Sequence, residues 1–192
     1  MDDATLIARV KAGNMHACRF LVDKHRNLVW HMVLRMIRQQ EDAEDICQEV
    51  FFRVFRDLYK FRGASKLSTW IGSITYHICI DHLRKKEKQV TSSAENLEYA
   101  AGRRQTLEQG GIKIERDDLK RMVHKVVDTL PVQYRTVITL FHLEEFSYHE
   151  IEEITGMPEG TVKSYLNRAR AMVRAQLEQQ VPDIRQLALD NS

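Results

Sequence analysis

Residues 147–174, SYHEIEEITGMPEGTVKSYLNRARAMVR, decide the fold of the C-terminal half of the chain. Ser147 and Glu150 have the S-x-x-E spacing of a capping box, which predicts the start of a helix, and Gly156 and Pro158 predict the turn that follows it. Beyond the turn, apolar residues recur in steps of three or four, as on one face of a helix: Val162, Leu166, Ala169, Val173 and Leu177. A short capped helix, a glycine-containing turn and a second amphipathic helix form the pattern of a helix-turn-helix.

The side of the second helix opposite the apolar stripe carries basic and polar side chains. At about 100° per residue, this side comprises Lys163, Ser164, Asn167, Arg168, Ala171 and Arg174. Lysine and arginine bond guanine edges or phosphates, asparagine pairs with adenine, and serine contacts either. A charged helix face is often merely solvated, but the capping box and the turn favour DNA binding here. We predict that base reading falls to Lys163, Ser164, Asn167 and Arg168, with Arg174 nearer to the DNA backbone.

Two more helices are predicted just before this motif. The first begins near Asp117 and ends at Pro131, which also suits the first turn of the next helix. Further upstream, residues 90–116 contain three glycines and several serines and threonines, and they lack a sustained apolar face. We predict a flexible linker there, because so long a connection is uncommon inside one compact domain.

The first two predicted helices of the N-terminal half have clear boundaries. Asp2 or Asp3 can cap a short helix that stops at Gly13. A longer helix is predicted over residues 15–36. Its apolar stripe comprises Phe20, Leu21, Leu28, Val29, Met32 and Met36.

The next two helices of the N-terminal half flank a loop at residues 60–66. Asp42 is predicted as the N-cap of the third helix, with Asp45 in the place of the capping-box glutamate. The fourth helix is predicted over residues 68–88, with Trp70 or Ile71 in the core. We therefore predict an all-α fold of two small helical domains joined by a flexible linker: a four-helix domain at residues 1–89, a linker at 90–116, a helix-turn-helix domain at 117–180 and a tail at 181–192.

The composition excludes several classes of protein. Apolar residues make up 43% of the 192, so a real core can form, whereas eight glycines and three prolines are too few for many β-hairpins. The three cysteines, Cys18, Cys47 and Cys79, form no C-x-x-C pair, and no apolar run spans a membrane. We find no catalytic constellation and no complete metal site, and we expect a cytoplasmic, cofactor-free protein without membrane insertion.

Six short motifs resemble those of the extracytoplasmic-function class of RNA polymerase sigma factors, in the sigma-70 family. YHEI at residues 148–151 and EGTVKS at residues 159–164 resemble their promoter-reading module. DAEDICQEVF at residues 42–51 resembles their polymerase-binding helix. FRG at 61–63, STWI at 68–71 and DHLRK at 81–85 resemble the loop and helix that engage the −10 promoter element. The resemblance covers nearly the whole chain apart from the linker and the tail.

The resemblance implies roles for particular residues. The helix-turn-helix would bind the −35 element. The −10 element would be contacted by Arg62, Ser65, Lys66, Ser68, Arg84 and Lys85. Core polymerase would be contacted by Asp45, Gln48 and Glu49, although acids at a helix start also stabilise the helix dipole without any partner. The neighbouring phenylalanines, Phe51, Phe52 and Phe55, are expected in the core, with one ring left for the interface. The implied partners are core RNA polymerase, promoter DNA and an anti-sigma factor.

Two other functions are compatible with part of the sequence. A helix-turn-helix regulator that acts without replacing a polymerase subunit would explain the second domain, but not the acidic helix together with the −10-like loop. An all-α enzyme with a DNA-binding module would need a catalytic constellation that the sequence lacks. We therefore expect a sigma factor that directs promoter-specific initiation, in a stress response under anti-sigma control.

Overall fold

The computed structural model describes residues 2–92 and 116–180, and this part of the chain is helical without a β-strand. The elements of the first half are α1 (Asp3–Lys11), α2 (Met15–Met36), α3 (Gln40–Asp57), a 3-10 turn (Leu58–Lys60) and α4 (Leu67–Ser92). Those of the second half are α5 (Arg116–Thr129), α6 (Val132–His142), α7 (Tyr148–Thr155) and α8 (Glu159–Gln180). The all-α prediction is confirmed. Most of the predicted linker and the tail lie outside the described residues.

Most of the predicted helix ends agree with the structure, and the cap of α3 does not. The side chain of Asp2 accepts a hydrogen bond from the Thr5 amide at 2.9 Å, which caps α1 as expected. Helix α3 begins at Gln40 after the N-cap residue Gln39, so the prediction of Asp42 as N-cap was wrong. Asp42 lies inside the first turn, where its carboxylate accepts a hydrogen bond from Lys86 of α4 at 2.9 Å. Asp42 therefore links α3 to α4 and does not cap α3.

The first core lies between α1, α2, α3 and α4. Its fully buried members include Leu21, Val50 and Val54. Ile71 is the core residue at the start of α4, whereas Trp70 is half-buried with its ring 5.3 Å from that of Phe61. Phe20 is 43% exposed, so its place in the predicted apolar stripe of α2 was wrong. The apolar stripe of α2 that packs in the core is therefore narrower than the stripe predicted from the sequence.

The second core lies between α5, α6, α7 and α8, and it extends to the first half of the chain. Leu28 and Met32 of α2 pack in this cluster, and Val132 of α6 packs against the first one. The two predicted domains therefore lie against each other. The contacts run between α4 and α7 and between α2 and α6.

Candidate nucleic-acid interface and partner surfaces

The local geometry of α7 and of the turn after it places the helix-turn-helix. The amide of Ser147 donates to Glu150 Oε2 at 2.9 Å, and the amide of Glu150 donates to Ser147 Oγ at 3.3 Å, so the capping box is complete. Gly156 ends α7 with φ of 72°, a left-handed conformation that glycine adopts without strain. Its amide donates to the Glu152 carbonyl at 2.8 Å. These bonds fix the angle at which α8 leaves the turn.

Helix α8 keeps its apolar stripe in the core and its polar side in solvent. Val162, Leu166 and Ala169 are at most 1% exposed. We define the recognition face as the exposed residues on the other side: Lys163, Ser164, Asn167, Arg168, Ala171 and Arg174. The structure thus brings together all five side chains that were predicted to contact the −35 element. Their contact with DNA stays a prediction.

Within the recognition face, Lys163 contacts one residue of α7 and one in the first turn of α8. Its ammonium lies 2.5 Å from a carboxylate oxygen of Glu159 and 5.2 Å from the centre of the Tyr148 ring. The hydrogen bond to Glu159 raises the pKa of Lys163 and lowers that of Glu159. Lys163 is therefore oriented by α7 and by the first turn of α8 before any DNA arrives.

Arg174 lies where the recognition face meets an apolar cavity. The cavity has a volume of about 680 Å³ and is enclosed mainly by α5, α6 and the C-terminal half of α8. Val127, Ile138 and Leu177 line it, and Arg174 stands at its edge. Arg174 is also part of a shallow groove beside Asn167. The prediction that Arg174 lies nearer to the DNA backbone than the base-reading residues stays a prediction.

Helix α3 presents an acidic surface with one aromatic side chain. Asp45, Gln48 and Glu49 are exposed, as a contact role requires. Phe52 is 69% exposed and follows Gln48 and Glu49 by four and three residues, so it lies on the same side of the helix. We define the acidic face as Asp45, Gln48, Glu49 and Phe52. Phe51 and Phe55 pack against the first core as expected, whereas Phe52 does not, and an interface role for its ring stays a prediction.

The residues predicted to contact the −10 element lie in two places along α4. Arg62, Ser65, Lys66 and Ser68 surround the start of the helix, and Gly63 turns the loop with φ of 73°. Arg84 and Lys85 are exposed about 25 Å further along, at 1.5 Å per residue. The structure does not bring these two groups together, and a strand of DNA would have to run along the helix to contact both.

Helix α7 of the second domain packs against the start of α4. The ammonium of Lys66 lies 2.9 Å from Glu150 Oε1, and the Thr69 hydroxyl donates to the same oxygen at 3.4 Å. Burial acts to raise the pKa of Glu150, but the hydrogen bonds from Ser147 and Lys66 outweigh it and lower the pKa to about 2. Thr69 and Gly72 are buried at this contact. Sequence reasoning missed both, since their burial depends on a distant helix.

Two kinds of feature are absent from the described residues. None of the helices in the described ranges is long and apolar enough to cross a membrane. Within those ranges, no group of three or more His, Cys, Asp or Glu side chains is arranged to hold a metal ion. His82 Nε2 on α4 lies 3.4 Å from a carboxylate oxygen of Asp42.

Comparison with known proteins identifies both halves of the chain. Residues 21–89 match the family described as Sigma-70 region 2, and residues 120–173 match Sigma-70, region 4. The chain is 33% identical to the ECF RNA polymerase sigma factor SigW of Bacillus subtilis, over 89% of this chain and 94% of that protein. It is 30% identical to the RNA polymerase sigma-H factor of Pseudomonas aeruginosa, over 92% and 94%.

Solved structures of similar fold agree with these matches. CnrH, in complex with the cytosolic domain of CnrY, matches with a TM-score of 0.62 and 20% identity, over 92% of this chain and 97% of CnrH. The sigma factor RpoE, in complex with the anti-sigma factor NepR from Bartonella quintana, matches with a TM-score of 0.67 and 20% identity, over 83% and 96%. Region 2 contains the acidic face and the α4 loop, and region 4, which follows it along the chain, contains most of the recognition face. The chain belongs to the ECF RNA polymerase sigma factors.

Proposed function

We propose that this protein binds core RNA polymerase and directs transcription initiation at specific promoters. As a member of the sigma factor family, it is a transcription initiation factor and not an enzyme. The observation that carries the proposal is the presence, in one chain, of a DNA-recognition helix, a basic loop-and-helix segment and an acidic surface with an exposed ring. A regulator that binds DNA alone needs only the first of these.

We assign the −35 element to the recognition face of α8. Its exposed Asn167 and Arg168 can make the bidentate contacts with adenine and guanine that give base specificity in a major groove. Buried Val162, Leu166 and Ala169 hold the helix on its domain, so the reading side chains project from a rigid support. Arg174 would add a phosphate contact, which contributes affinity rather than specificity.

We assign the −10 element to the loop and helix at residues 62–85. Arg62, Ser65, Lys66 and Ser68 offer hydrogen-bond donors for a base that has left the stack, whose extraction requires a few kcal/mol. Arg84 and Lys85 would contact phosphates of the same strand and make the affinity dependent on salt. Their separation along α4 suits an extended single strand.

We assign core polymerase to the acidic face of α3. Asp45 and Glu49 supply negative charge for a basic partner surface, and Phe52 supplies apolar area of the kind that dominates interface energies. Glu49 is oriented by Arg53 at 3.3 Å on the next turn. Asp42 and Lys86 hold the same helix to α4, so the acidic face is not needed for that contact.

We propose an anti-sigma factor as the regulatory partner, and a role in an envelope or environmental stress response. CnrH and RpoE, which share this fold, are each seen in complex with another protein, in the second case an anti-sigma factor. Such a partner would act in the cytoplasm, where polymerase and promoters are, and we place this protein there.

Reconstitution with core polymerase tests the proposal. The purified chain is mixed with core polymerase and genomic DNA of the same organism, and the 5′ ends of new transcripts are sequenced. We expect a small set of start sites that share upstream elements and disappear without the chain. A footprint that the chain gives alone, with no transcript gained when polymerase is added, would instead support the regulator that acts without replacing a polymerase subunit.

A further inference from the structure

An apolar cavity lies beside the recognition face and shares Arg174 with it. Its volume of about 680 Å³ is within the range of roughly 300–1,000 Å³ that is typical of sites for small molecules. Three helices of the second domain supply the apolar part of its lining: Val123 and Val127 of α5, Ile138 and Leu143 of α6, and Val173 and Leu177 of α8. Such a lining favours a ligand with an apolar body, because binding removes that body from water.

One polar group of the lining has no partner within the described ranges. Thr139 of α6 lines the cavity and is 1% exposed. Its hydroxyl oxygen is buried and makes no hydrogen bond with another of the described residues. Because a buried hydroxyl without a partner costs free energy, an oxygen acceptor on a ligand would be favourable at this part of the lining.

Three arginines give the lining an excess of positive charge. Arg35, Arg170 and Arg174 line the cavity, and Glu178 is the acid among the described residues of the lining. The ion pair with Asp128 neutralises Arg35, so two arginines remain against one glutamate. Positive charge beside an apolar lining suits a ligand with an anionic head group.

Arg170 and Arg174 differ in their contacts with the rest of the protein. The Nε of Arg170 donates to His142 Nε2 at 3.2 Å, and its guanidinium lies 5.3 Å from the centre of the Phe141 ring. Burial, with a contribution from Arg170, lowers the pKa of His142, so its neutral ring accepts this hydrogen bond. Arg174 is exposed and forms no ion pair or hydrogen bond with another residue of the described ranges. Its guanidinium is therefore available to an anion.

We propose that the cavity binds a small amphiphilic carboxylate, of the class of fatty acids, with its alkyl chain on the apolar lining and its carboxylate at Arg174. A guanidinium offers two parallel N–H donors, which match the two oxygens of a carboxylate. A sugar phosphate would leave the apolar lining without contacts. An uncharged hydrocarbon would leave Arg174 and Thr139 without partners. The cavity therefore selects for both parts of the ligand.

Occupation of the cavity would also affect DNA binding, because Arg174 belongs to the recognition face. This consequence rests on the −35 role that we propose for α8, whereas binding of the ligand does not. A carboxylate that pairs with Arg174 removes this arginine from a DNA phosphate. We expect the affinity for the −35 duplex to fall about two- to fivefold, and the slope of its logarithm against the logarithm of the salt concentration to fall by about one. Because coupling between two binding sites is reciprocal, the duplex should weaken ligand binding by the same factor.

Calorimetric titration of the full chain with decanoate tests the proposal. The comparison ligands are decanol, which has the same chain without the charge, and acetate, which has the charge without the chain. We expect one decanoate to bind per chain, roughly five- to tenfold more tightly than decanol, and acetate not to bind at the same concentrations. Equal affinities for decanoate and decanol would overturn the proposal. Absence of saturable decanoate binding would also overturn it and leave the cavity to a protein partner, such as an amphipathic helix.

Two variants locate the bound ligand. Ile138→Phe places a larger side chain in the cavity and should abolish the binding of decanoate and decanol alike. Arg174→Gln changes an exposed residue and keeps the apolar lining, so it should lower the decanoate affinity roughly five- to tenfold and leave the decanol affinity as it is. The control is Lys125→Gln, which removes an exposed cation of α5 outside the lining. Equal decanoate affinity in Arg174→Gln and in this control would contradict the proposal, even if Ile138→Phe does not fold.

A duplex that carries the mapped −35 element provides the last measurement. Saturating decanoate should weaken duplex binding by the unaltered chain and have no effect on duplex binding by Arg174→Gln. Equal weakening in both would overturn the competition at Arg174. If the chain binds no such duplex in the absence of decanoate, the proposed function itself fails, while the titrations still decide whether the cavity binds the carboxylate. The two failures are therefore distinguishable.

Discussion

The recognition face of α8 and the −10 segment of α4 are both assigned to DNA, yet they differ in their contacts with the other domain. Ser164, Asn167 and Arg168 lie in solvent. On α4, Lys66 is exposed but pairs with Glu150 of α7 at 2.9 Å, and Thr69 and Gly72 beside it are buried. The start of α4 therefore contacts the second domain through a residue that is assigned to DNA.

The two surfaces also differ in how they are supported. The recognition face stands on a domain with its own core, including Ile151, Ile154 and Leu166. The −10 surface begins at a loop, and its helix is stabilised partly by α2, which contacts both cores through Leu28 and Met32 on one side and Val29 and Val33 on the other. Changes in α2 should therefore affect the first domain and the contact between domains more than the recognition face.

The largest effect that we predict comes from His25 in α2. Burial, with a smaller contribution from Lys24, lowers the pKa of His25 to about 4, and its Nε2 has no hydrogen-bond partner among the described residues. Since an unfolded histidine has a pKa of about 6.5, the folded state binds fewer protons between these values. Stability should be full above pH 6.5 and fall towards pH 4, by up to about 3 kcal/mol.

Chemical unfolding of the full chain and of His25→Leu over pH 4–8 measures this effect. The variant should lose most of the decline between pH 6.5 and 4, because leucine does not titrate. His149→Gln, a change at an exposed histidine of α7, should leave the decline as it is. A decline of the same size in His25→Leu would show that other groups cause it.

The next effect in size concerns the recognition face alone. Arg168→Ala should weaken binding to the mapped −35 duplex by roughly 10- to 100-fold, the usual range for the loss of one bidentate base contact. Binding to a single-stranded −10 oligonucleotide should not change, since Arg168 is not among the residues that we assign to the −10 element. Gln179→Ala, at an exposed position near the end of the same helix, is the control. Equal losses with both oligonucleotides would indicate a damaged fold.

The recognition face was also the surface that the sequence predicted well. The capping box at Ser147 and Glu150, the left-handed Gly156 and the stripe of α8 are all set by residues within a few positions of one another. Local patterns of this kind determine local structure, and the helix-turn-helix follows from them. Asp45, Gln48 and Glu49 of the acidic face were named for the same reason, because they lie within two turns of one helix, whereas Phe52 was expected in the core.

What the sequence did not predict depends on distant residues. Asp42 matches the sequence pattern of a helix N-cap but pairs with Lys86, 44 residues away. Phe20 fits an apolar period yet lies at an edge that no other helix of the described chain covers fully. The docking of Glu150 on Lys66 joins residues that are separated by the whole linker. Such contacts follow from packing between helices, on which periodicity within one helix carries no information.

An intermediate effect is expected from the acidic face. Phe52→Ala removes the 69% exposed ring and should weaken binding to core polymerase by roughly tenfold, in the range of an aromatic interface residue. Phe20→Ala removes a ring of similar size, 43% exposed, from α2 and is the matched control. Binding is measured by titration of labelled chain with core enzyme. Equal affinity in the two variants would remove Phe52 from the polymerase interface, and duplex binding should remain unchanged in both.

The smallest effect concerns the ion pair between Arg35 and Asp128, which joins α2 to the second domain. Asp128→Arg places two guanidinium groups at the contact between the domains, while a basic residue in the last turn of α5 suits the helix dipole. Because the Asp128 side chain is 54% exposed, the pair contributes modestly, and we expect the free energy of unfolding to fall by about 0.5 kcal/mol. Arg35→Asp in the same chain should restore the original stability by reversing the pair. Asp23→Arg, the same charge change on the exposed side of α2, should have no effect. A double variant as unstable as the single one would mean that the charge of residue 128, and not its pairing with Arg35, causes the loss.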